Sequence, residues 1–157
     1  MSEPSVVHNT FVIERQLAAT PERLFTALSD PGKVRRWYAG GDGRNAETFD
    51  MDFRVFGRQR MSSRMGQETP FPGVILASDA VFLDIVPGRR VVMAQTMTLG
   101  ERRISASLIT YEVLASNDGS ELRFAHQGAF FEGSDGPKMR EDGWRHLLDS
   151  LGRALAG

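Results

Sequence analysis

The stretch Trp144-Arg-His-Leu-Leu-Asp-Ser-Leu-Gly-Arg-Ala-Leu155 decides the fold, because its apolar residues recur at spacings of three and four. That spacing places them on one stripe of a helix. The charged residues of the region fall largely on the other side: Arg140, Glu141, Arg145, Asp149 and Arg153. We therefore predict a long C-terminal amphipathic helix whose stripe must be buried against another layer of structure.

The segment before this helix, residues 48–130, has the pattern of successive β-strands. Apolar and polar residues alternate with period two over residues 49–55, and Gly57 breaks the run. Further β patterns cover residues 58–65, 71–77, 80–86, 90–98, 103–114 and 121–130. Turn signals such as Pro87-Gly88 and Asn117-Asp118-Gly119 separate these segments. Strands joined by short turns predict an antiparallel meander.

The N-terminal part predicts one strand and two short helices. Residues 11–17 are rich in β-formers, and Thr20-Pro21 then supplies a helix N-cap and a first helical residue that needs no backbone donor. Asp30-Pro31-Gly32 ends that helix, and residues 33–38 form a second helical piece. The glycine-rich residues 40–43 lack the Lys-Ser/Thr ending of a phosphate-binding loop.

This order of elements predicts an α+β, two-layer fold in one domain, residues 1–157. A curved antiparallel sheet of about six or seven strands would wrap around the long C-terminal helix, an arrangement called the helix-grip fold. The two short helices after the first strand would plug one end. An apolar space would remain between the sheet and the helix.

Composition excludes several functional classes. The chain has 157 residues, a formal net charge of −1, three histidines and no cysteine. A near-neutral charge argues against nucleic-acid binding, and the absence of cysteine excludes disulfides and cysteine nucleophiles. Three scattered histidines predict no metal, and we expect no other cofactor. The polar N-terminus and the lack of a long apolar run predict a cytoplasmic protein without membrane insertion.

Several motifs resemble a known family. Residues 14–25, Ser29-Asp-Pro31 and Trp37 resemble the opening of the Hsp90-ATPase-activator-like family, which belongs to the START/Bet v 1-like, or polyketide-cyclase-like, superfamily. Asp52-Phe-Arg54 with Gly57 is similar to its Asp-x-Arg-x-Gly-Gly element, and Gly143-Trp144 to its closing helix. The resemblance implies a helix-grip fold with a deep hydrophobic cavity.

Two departures from the family pattern affect the expected pocket. Phe56 occupies the position of the first glycine of the Gly-Gly pair, and Tyr38 is followed by Ala39 where the family has a proline nearby. We expect the Phe56 ring to narrow the pocket or change its shape.

The candidate ligand-binding residues are mostly bulky and apolar, as pockets for small molecules require. They are Phe25, Trp37, Tyr38, Phe56, Phe71, Met93, Met97, Phe124, Trp144 and Leu148, with Arg54 and His126 as polar additions. Any one apolar member taken alone fits an ordinary core better, and it is the whole group of bulky side chains that indicates a binding surface. Arg54 is either a surface ion pair with a neighbouring aspartate or the anchor of a ligand carbonyl or carboxylate. His126 is either a core histidine or a ligand contact or general base.

Three functions remain open from the sequence. The first is binding of a small lipophilic molecule without catalysis. The second is a cyclase- or hydrolase-like enzyme for an aromatic or polyketide-type substrate, with Arg54 and His126 in one cavity. The third is a regulator of a chaperone or another partner protein, as the family name suggests. A homodimer is compatible with all three.

Overall fold

The computed structural model describes residues 4–40 and 46–157. The strands are β1 (Val7–Leu17), β2 (Ala46–Met51), β3 (Arg58–Arg64), β4 (Ile75–Val86), β5 (Arg90–Leu99), β6 (Arg102–Ser116) and β7 (Gly119–Phe130). The helices are α1 (Pro21–Ser29), α2 (Pro31–Val34), which continues as a π-helical turn (Arg35–Ala39), and α3 (Pro137–Ala156). Residues 41–43 of the glycine-rich segment lie outside the described residues.

One antiparallel sheet contains all seven of these strands, in the order β1-β7-β6-β5-β4-β3-β2. Its chain order is a meander from β2 to β7, and β1 pairs with β7 along its whole length. Register shifts at Phe82/Asp84 and at Met97/Thr98 mark bulges, which bend strands and increase their twist. The α+β helix-grip architecture predicted from the sequence is confirmed: a curved sheet holds α3 against its concave face.

Helix α1 begins where the sequence predicts, whereas α2 begins at Pro31, two residues before the predicted start at residue 33. The hydroxyl of Thr20 accepts a hydrogen bond of 3.2 Å from the backbone N–H of Arg23, and Asp30 caps α2 by accepting from the N–H of Lys33 at 3.0 Å. A proline occupies the first turn of each helix. The π-helical turn after α2 buries Trp37, Tyr38 and Ala39 against the core.

The β2 region differs from the sequence prediction. The strand ends at Met51 instead of continuing through residue 55, and the chain turns back through residues 52–57. A side chain at position 57 would place its Cβ 2.1 Å from the carbonyl oxygen of Asp52, so this turn requires Gly57. Residues 71–77 and 80–86, predicted as separate β segments, contribute to one strand, β4.

An aromatic cluster joins α3 to the concave face of the sheet. The ring of Trp144 lies 4.5 Å from that of Phe124 and 5.8 Å from that of Tyr38, measured between centroids. Leu148 and Leu151 of α3 are also buried in this core. Among the described residues, no helix is both long and apolar enough to span a bilayer.

Candidate functional site

A cavity of about 610 Å³ lies between the concave face of the sheet and the N-terminal half of α3. The segment between β3 and β4 and the loop before α3 complete its wall. Its lining residues are Tyr38, Met65, Pro70, Phe71, Leu76, Gln95, Met97, Leu99, Ile104, Gly133, Ser134, Asp135, Met139, Arg140, Gly143, Trp144 and Leu147. Most of these side chains are apolar, and flexible methionines suit a surface that adapts to its ligand.

The mouth of the cavity is apolar and open to solvent. Phe71, from the segment before β4, is 47% exposed, and Met139, in the first turn of α3, is 64% exposed. Deeper in the wall, Met97 and Trp144 are buried. The side chains at the mouth are therefore exposed, whereas those deeper in the wall are buried.

Tyr38 and Gln95 place polar groups in the wall of this otherwise apolar cavity. The hydroxyl of Tyr38 lies 3.1 Å from the hydroxyl of Ser78, and it accepts a hydrogen bond of 3.3 Å from Nε2 of Gln95. All three residues are buried. This chain of hydrogen bonds fixes the orientation of the Tyr38 phenol at the cavity wall.

The solvent-facing position predicted for Arg140 is wrong. This residue was expected on the solvent side of the last helix, but it is 5% exposed and lines the cavity. Its Nε and Nη2 atoms each donate a hydrogen bond of 2.8 Å to Asp135, and its guanidinium carbon lies 5.0 Å from the centroid of the Phe130 ring. Burial by itself would raise the pKa of Asp135, but the hydrogen bonds and charge of Arg140 outweigh it and hold that pKa below its ordinary value.

His126 lies on the inner face of β7 together with Phe124, because the strand has no bulge between them. Its ring is fully buried and stacks on Phe11 with 4.7 Å between centroids. Neither ring nitrogen has a hydrogen-bond partner within the described part of the chain. Burial, and then the charge of Arg140, lowers the pKa of His126 to about 4, so the imidazole is neutral at pH 7.

The structure brings four of the twelve predicted ligand-binding residues to the cavity: Tyr38, Phe71, Met97 and Trp144. Six others pack in or against the core without lining it: Phe25, Trp37, Met93, Phe124, His126 and Leu148. The remaining two, Arg54 and Phe56, lie at the surface.

Arg54 and Phe56 face solvent because the chain leaves the sheet after Met51. Arg54 donates a hydrogen bond of 2.7 Å from Nε to Asp52, and both side chains are more than half exposed. Phe56 is 71% exposed, with a backbone φ of 69°. The expectation that the Phe56 ring narrows the pocket is therefore wrong.

The loop before α3 is the part of the site that sequence reasoning missed. No functional signal in the sequence marked Gly133, Ser134 and Asp135, yet they form one wall of the cavity. The helical spacing contained a signal for Arg140, which precedes Trp144 by four positions and therefore shares its face.

The chemical groups of the cavity suit binding by apolar contact and a few hydrogen bonds. Within residues 4–40 and 46–157, no three His, Asp or Glu side chains are grouped closely enough to hold a metal ion. Among the described residues that line the cavity, Arg140 is the one cation and it is paired with the one anion, Asp135.

Solved structures of similar proteins share this architecture over nearly the whole chain. An uncharacterized protein from Rhizobium leguminosarum is 37% identical, with a TM-score of 0.90 and 97% of both chains covered. A protein from Rhizobium loti is 43% identical, with a TM-score of 0.84, covering 97% of this chain and all of the other. An AHSA1 protein from Silicibacter pomeroyi is 23% identical, with a TM-score of 0.74, covering 94% of this chain and 98% of the other, and it supports the fold alone.

None of the curated proteins matches this chain. The sequence model of one family, described as Activator of Hsp90 ATPase homolog 1-like protein, matches residues 18–156. As its motifs predicted, this chain belongs to the family of Activator of Hsp90 ATPase homolog 1-like proteins.

Proposed function

We propose that this protein binds a lipophilic small molecule in the cavity beneath α3, without catalysing a reaction on it. The supporting observation is the cavity itself. Its volume of about 610 Å³ lies within the range of roughly 300–1,000 Å³ that is usual for small-molecule sites. Its lining is mostly apolar, with a few polar groups that would fix the orientation of a ligand.

Gly143 supports this proposal, because a glycine here leaves the cavity open although it lowers the stability of the helix. A glycine inside a helix is less favourable than alanine by about 1 kcal/mol. A Cβ added at Gly143 would meet no atom within 4 Å, so packing does not require glycine here. Gly143 does line the cavity, and any larger side chain would occupy its space.

Substitution at Gly143 tests the proposal directly. Gly143→Leu should fill part of the cavity, leave the fold intact and weaken binding of lipophilic molecules at least about tenfold, since it removes apolar contact area. Gly152→Leu is the matched control on the same helix, because position 152 is outside the cavity lining and its Cβ would make only an ordinary contact with Leu17.

The measurements are native mass spectrometry of the purified protein and thermal shifts with a panel of alkylbenzenes, sterols and long-chain alcohols. We expect a bound molecule, or a stabilising ligand, with wild type and with Gly152→Leu but not with Gly143→Leu. The proposal fails if no member of the panel raises the melting temperature of wild type and no molecule co-purifies.

The enzyme hypothesis loses its two proposed polar residues. It required Arg54 and His126 to reach one substrate, but Arg54 is exposed beside Asp52 whereas His126 is fully buried on the inner face of β7. A reaction in this cavity would need other residues.

Regulation of a chaperone and homodimer formation stay predictions. The exposed apolar residues Phe71 and Met139 would suit a protein partner, but they also form the mouth of the cavity. Ligand entry accounts for their exposure without a partner.

A further inference from the structure

Beside the cavity lies a group of buried polar atoms without hydrogen-bond partners. The atoms are Oγ of Ser105, Oγ of Ser107, both ring nitrogens of His126 and Nη1 of Arg140, and none has a partner among the described residues. We call these four residues the polar patch. A buried polar group without a partner is costly, so four such residues together indicate a function beyond stability.

The four residues are neighbours on two adjacent strands and the helix above them. Ser105 pairs with Phe130, and Ser107 pairs with Gly128, across β6 and β7. The ring of His126 lies over Gly128, where its Cε1 atom is 2.8 Å from an ideal Cβ position. Above the strands, the Phe130 ring lies between His126, at 6.0 Å, and the guanidinium of Arg140.

The polar patch adjoins the cavity where β6 pairs with β5. Ser105 is opposite Met97, and Ser107 is opposite Gln95, both of which line the cavity from β5. Arg140 belongs to the patch and to the cavity wall at once. The Met97 side chain is flexible, so a ligand group that moved it aside would approach Ser105, its partner across the strand pair.

The patch offers hydrogen bonds without a net charge. The charge of Arg140 is balanced by Asp135, which holds two of its nitrogens. His126 is neutral at pH 7 because burial lowers its pKa. A carboxylate placed here would lose its hydration without gaining an unpaired cation, which is costly in a buried site. A carbonyl or hydroxyl oxygen would be satisfied by the Arg140 N–H and the serine hydroxyls.

We propose that the ligand of this cavity is an uncharged lipophile with a carbonyl or hydroxyl oxygen, held by hydrogen bonds at the polar patch. The inference rests on the proposed function, since it specifies the ligand of the same cavity. It excludes two other classes of lipophile, simple hydrocarbons and carboxylic acids, as preferred ligands.

Three probes of one shape test this preference: 2-acetylnaphthalene, 2-ethylnaphthalene and 2-naphthoate, measured by calorimetric titration at neutral pH. We expect the ketone to bind at least about fivefold more tightly than the hydrocarbon, the value of one hydrogen bond of about 1 kcal/mol. The carboxylate should bind more weakly than the ketone.

The variant Ser105→Ala/Ser107→Ala locates the interaction. Removing two hydroxyls that have no partner should not destabilise the fold, and the ketone should lose its advantage over the hydrocarbon. Ser116→Ala is the control, because this serine lies at the far end of β6 and bonds to Gln16. It should leave the ratio of the two affinities unchanged.

The outcomes separate the inference from the proposed function. If the ketone and the hydrocarbon bind equally, or the carboxylate binds most tightly, the inference is overturned while binding in the cavity stands. A ketone advantage that is undiminished in Ser105→Ala/Ser107→Ala also overturns it. If none of the three probes binds wild type, the inference is overturned, whereas the proposed function is judged by native mass spectrometry and the thermal-shift panel.

Discussion

The guanidinium of Arg140 and the carboxylate of Asp135 form a two-point ion pair, with Nε and Nη2 each 2.8 Å from a carboxylate oxygen. Asp135 lies in the loop before α3 and Arg140 in the first turns of that helix. The side chain of Arg140 is only 6% exposed, so this pair is screened much less than a surface pair. It fixes the start of α3 over the cavity.

We predict that Asp135→Asn lowers the free energy of unfolding by about 2–3 kcal/mol. The substitution leaves the buried Arg140 cation without its compensating charge, which is more costly than the loss of a surface pair. Urea denaturation monitored by circular dichroism measures the change.

Glu141→Gln is the matched control for Asp135→Asn, because it breaks the pair between Arg145 and Glu141, four residues apart on the more exposed side of the same helix. It should change stability by no more than about 0.5 kcal/mol. Equal losses for the two variants would show that burial does not strengthen the Arg140 pair.

We predict that His126 makes the fold less stable as the pH falls from about 6.5 to about 4. Its pKa in the folded protein is about 4, below the ordinary 6.5, because of burial first and the charge of Arg140 second, with Asp135 opposing. Between these values the unfolded chain binds a proton that the folded protein does not. The stability is thus complete above pH 6.5 and falls by roughly 1.4 kcal/mol per pH unit through the window.

The control for the His126 prediction is a side chain that cannot titrate. His126→Phe and His126→Leu should abolish this part of the pH dependence, whatever their stability at neutral pH. Asp135 adds little to the slope over most of this window, because its pKa lies below the ordinary value of a carboxyl. An unchanged slope in both variants would contradict the assignment to His126.

The architecture could be predicted from the sequence because it depends on local periodicity. The period-two alternation and turn signals located β3 to β7, and the stripe that begins at Trp144 located α3. Thr20 marks the start of α1 by capping chemistry that acts within four residues; Asp30, predicted to end that helix, also caps α2.

The site could be predicted only in part, because it depends on contacts between distant segments. By spacing, Arg140 lies on the apolar stripe of α3, but its charge predicted exposure to solvent. In the structure its guanidinium instead contacts Asp135 and the Phe130 ring. Phe53 and Val55 kept the alternation of a strand, yet the chain had already left the sheet at Met51. Neither fact follows from residue type and spacing alone.

We predict that Phe56→Gly raises the free energy of unfolding by up to about 1 kcal/mol. Phe56 has a φ of 69°, a left-handed conformation that costs a residue with a Cβ about 1–2 kcal/mol. The greater freedom of glycine in the unfolded chain offsets part of the gain. Because the ring is 71% exposed, little packing is lost.

Val55→Gly is the comparison for Phe56→Gly, since Val55 is also exposed but has no positive φ. It should lower stability by roughly 0.5–1 kcal/mol, which is the usual entropic cost of glycine. The relief of strain is refuted if both substitutions destabilise the protein equally in thermal unfolding.

We predict that Trp144, and not Trp37, reports ligand binding by fluorescence. Trp144 lines the cavity, whereas Trp37 does not and donates a hydrogen bond of 2.8 Å from its indole N–H to the carbonyl of Ala27. A bromoalkane in the cavity would touch the Trp144 ring and quench its emission by the heavy-atom effect. The measurement is a titration with bromooctane, with octane as the ligand that cannot quench.

Two variants assign the fluorescence signal, because the chain contains only these two tryptophans. Trp37→Phe should keep most of the quenching, and Trp144→Phe should lose it while its circular dichroism stays that of the folded protein. Both rings are buried, at 2% and 4% exposure, so bromooctane free in solution reaches neither of them well. Quenching that persists in Trp144→Phe would place the bound molecule elsewhere, because contact quenching requires the bromine to lie against the ring that remains.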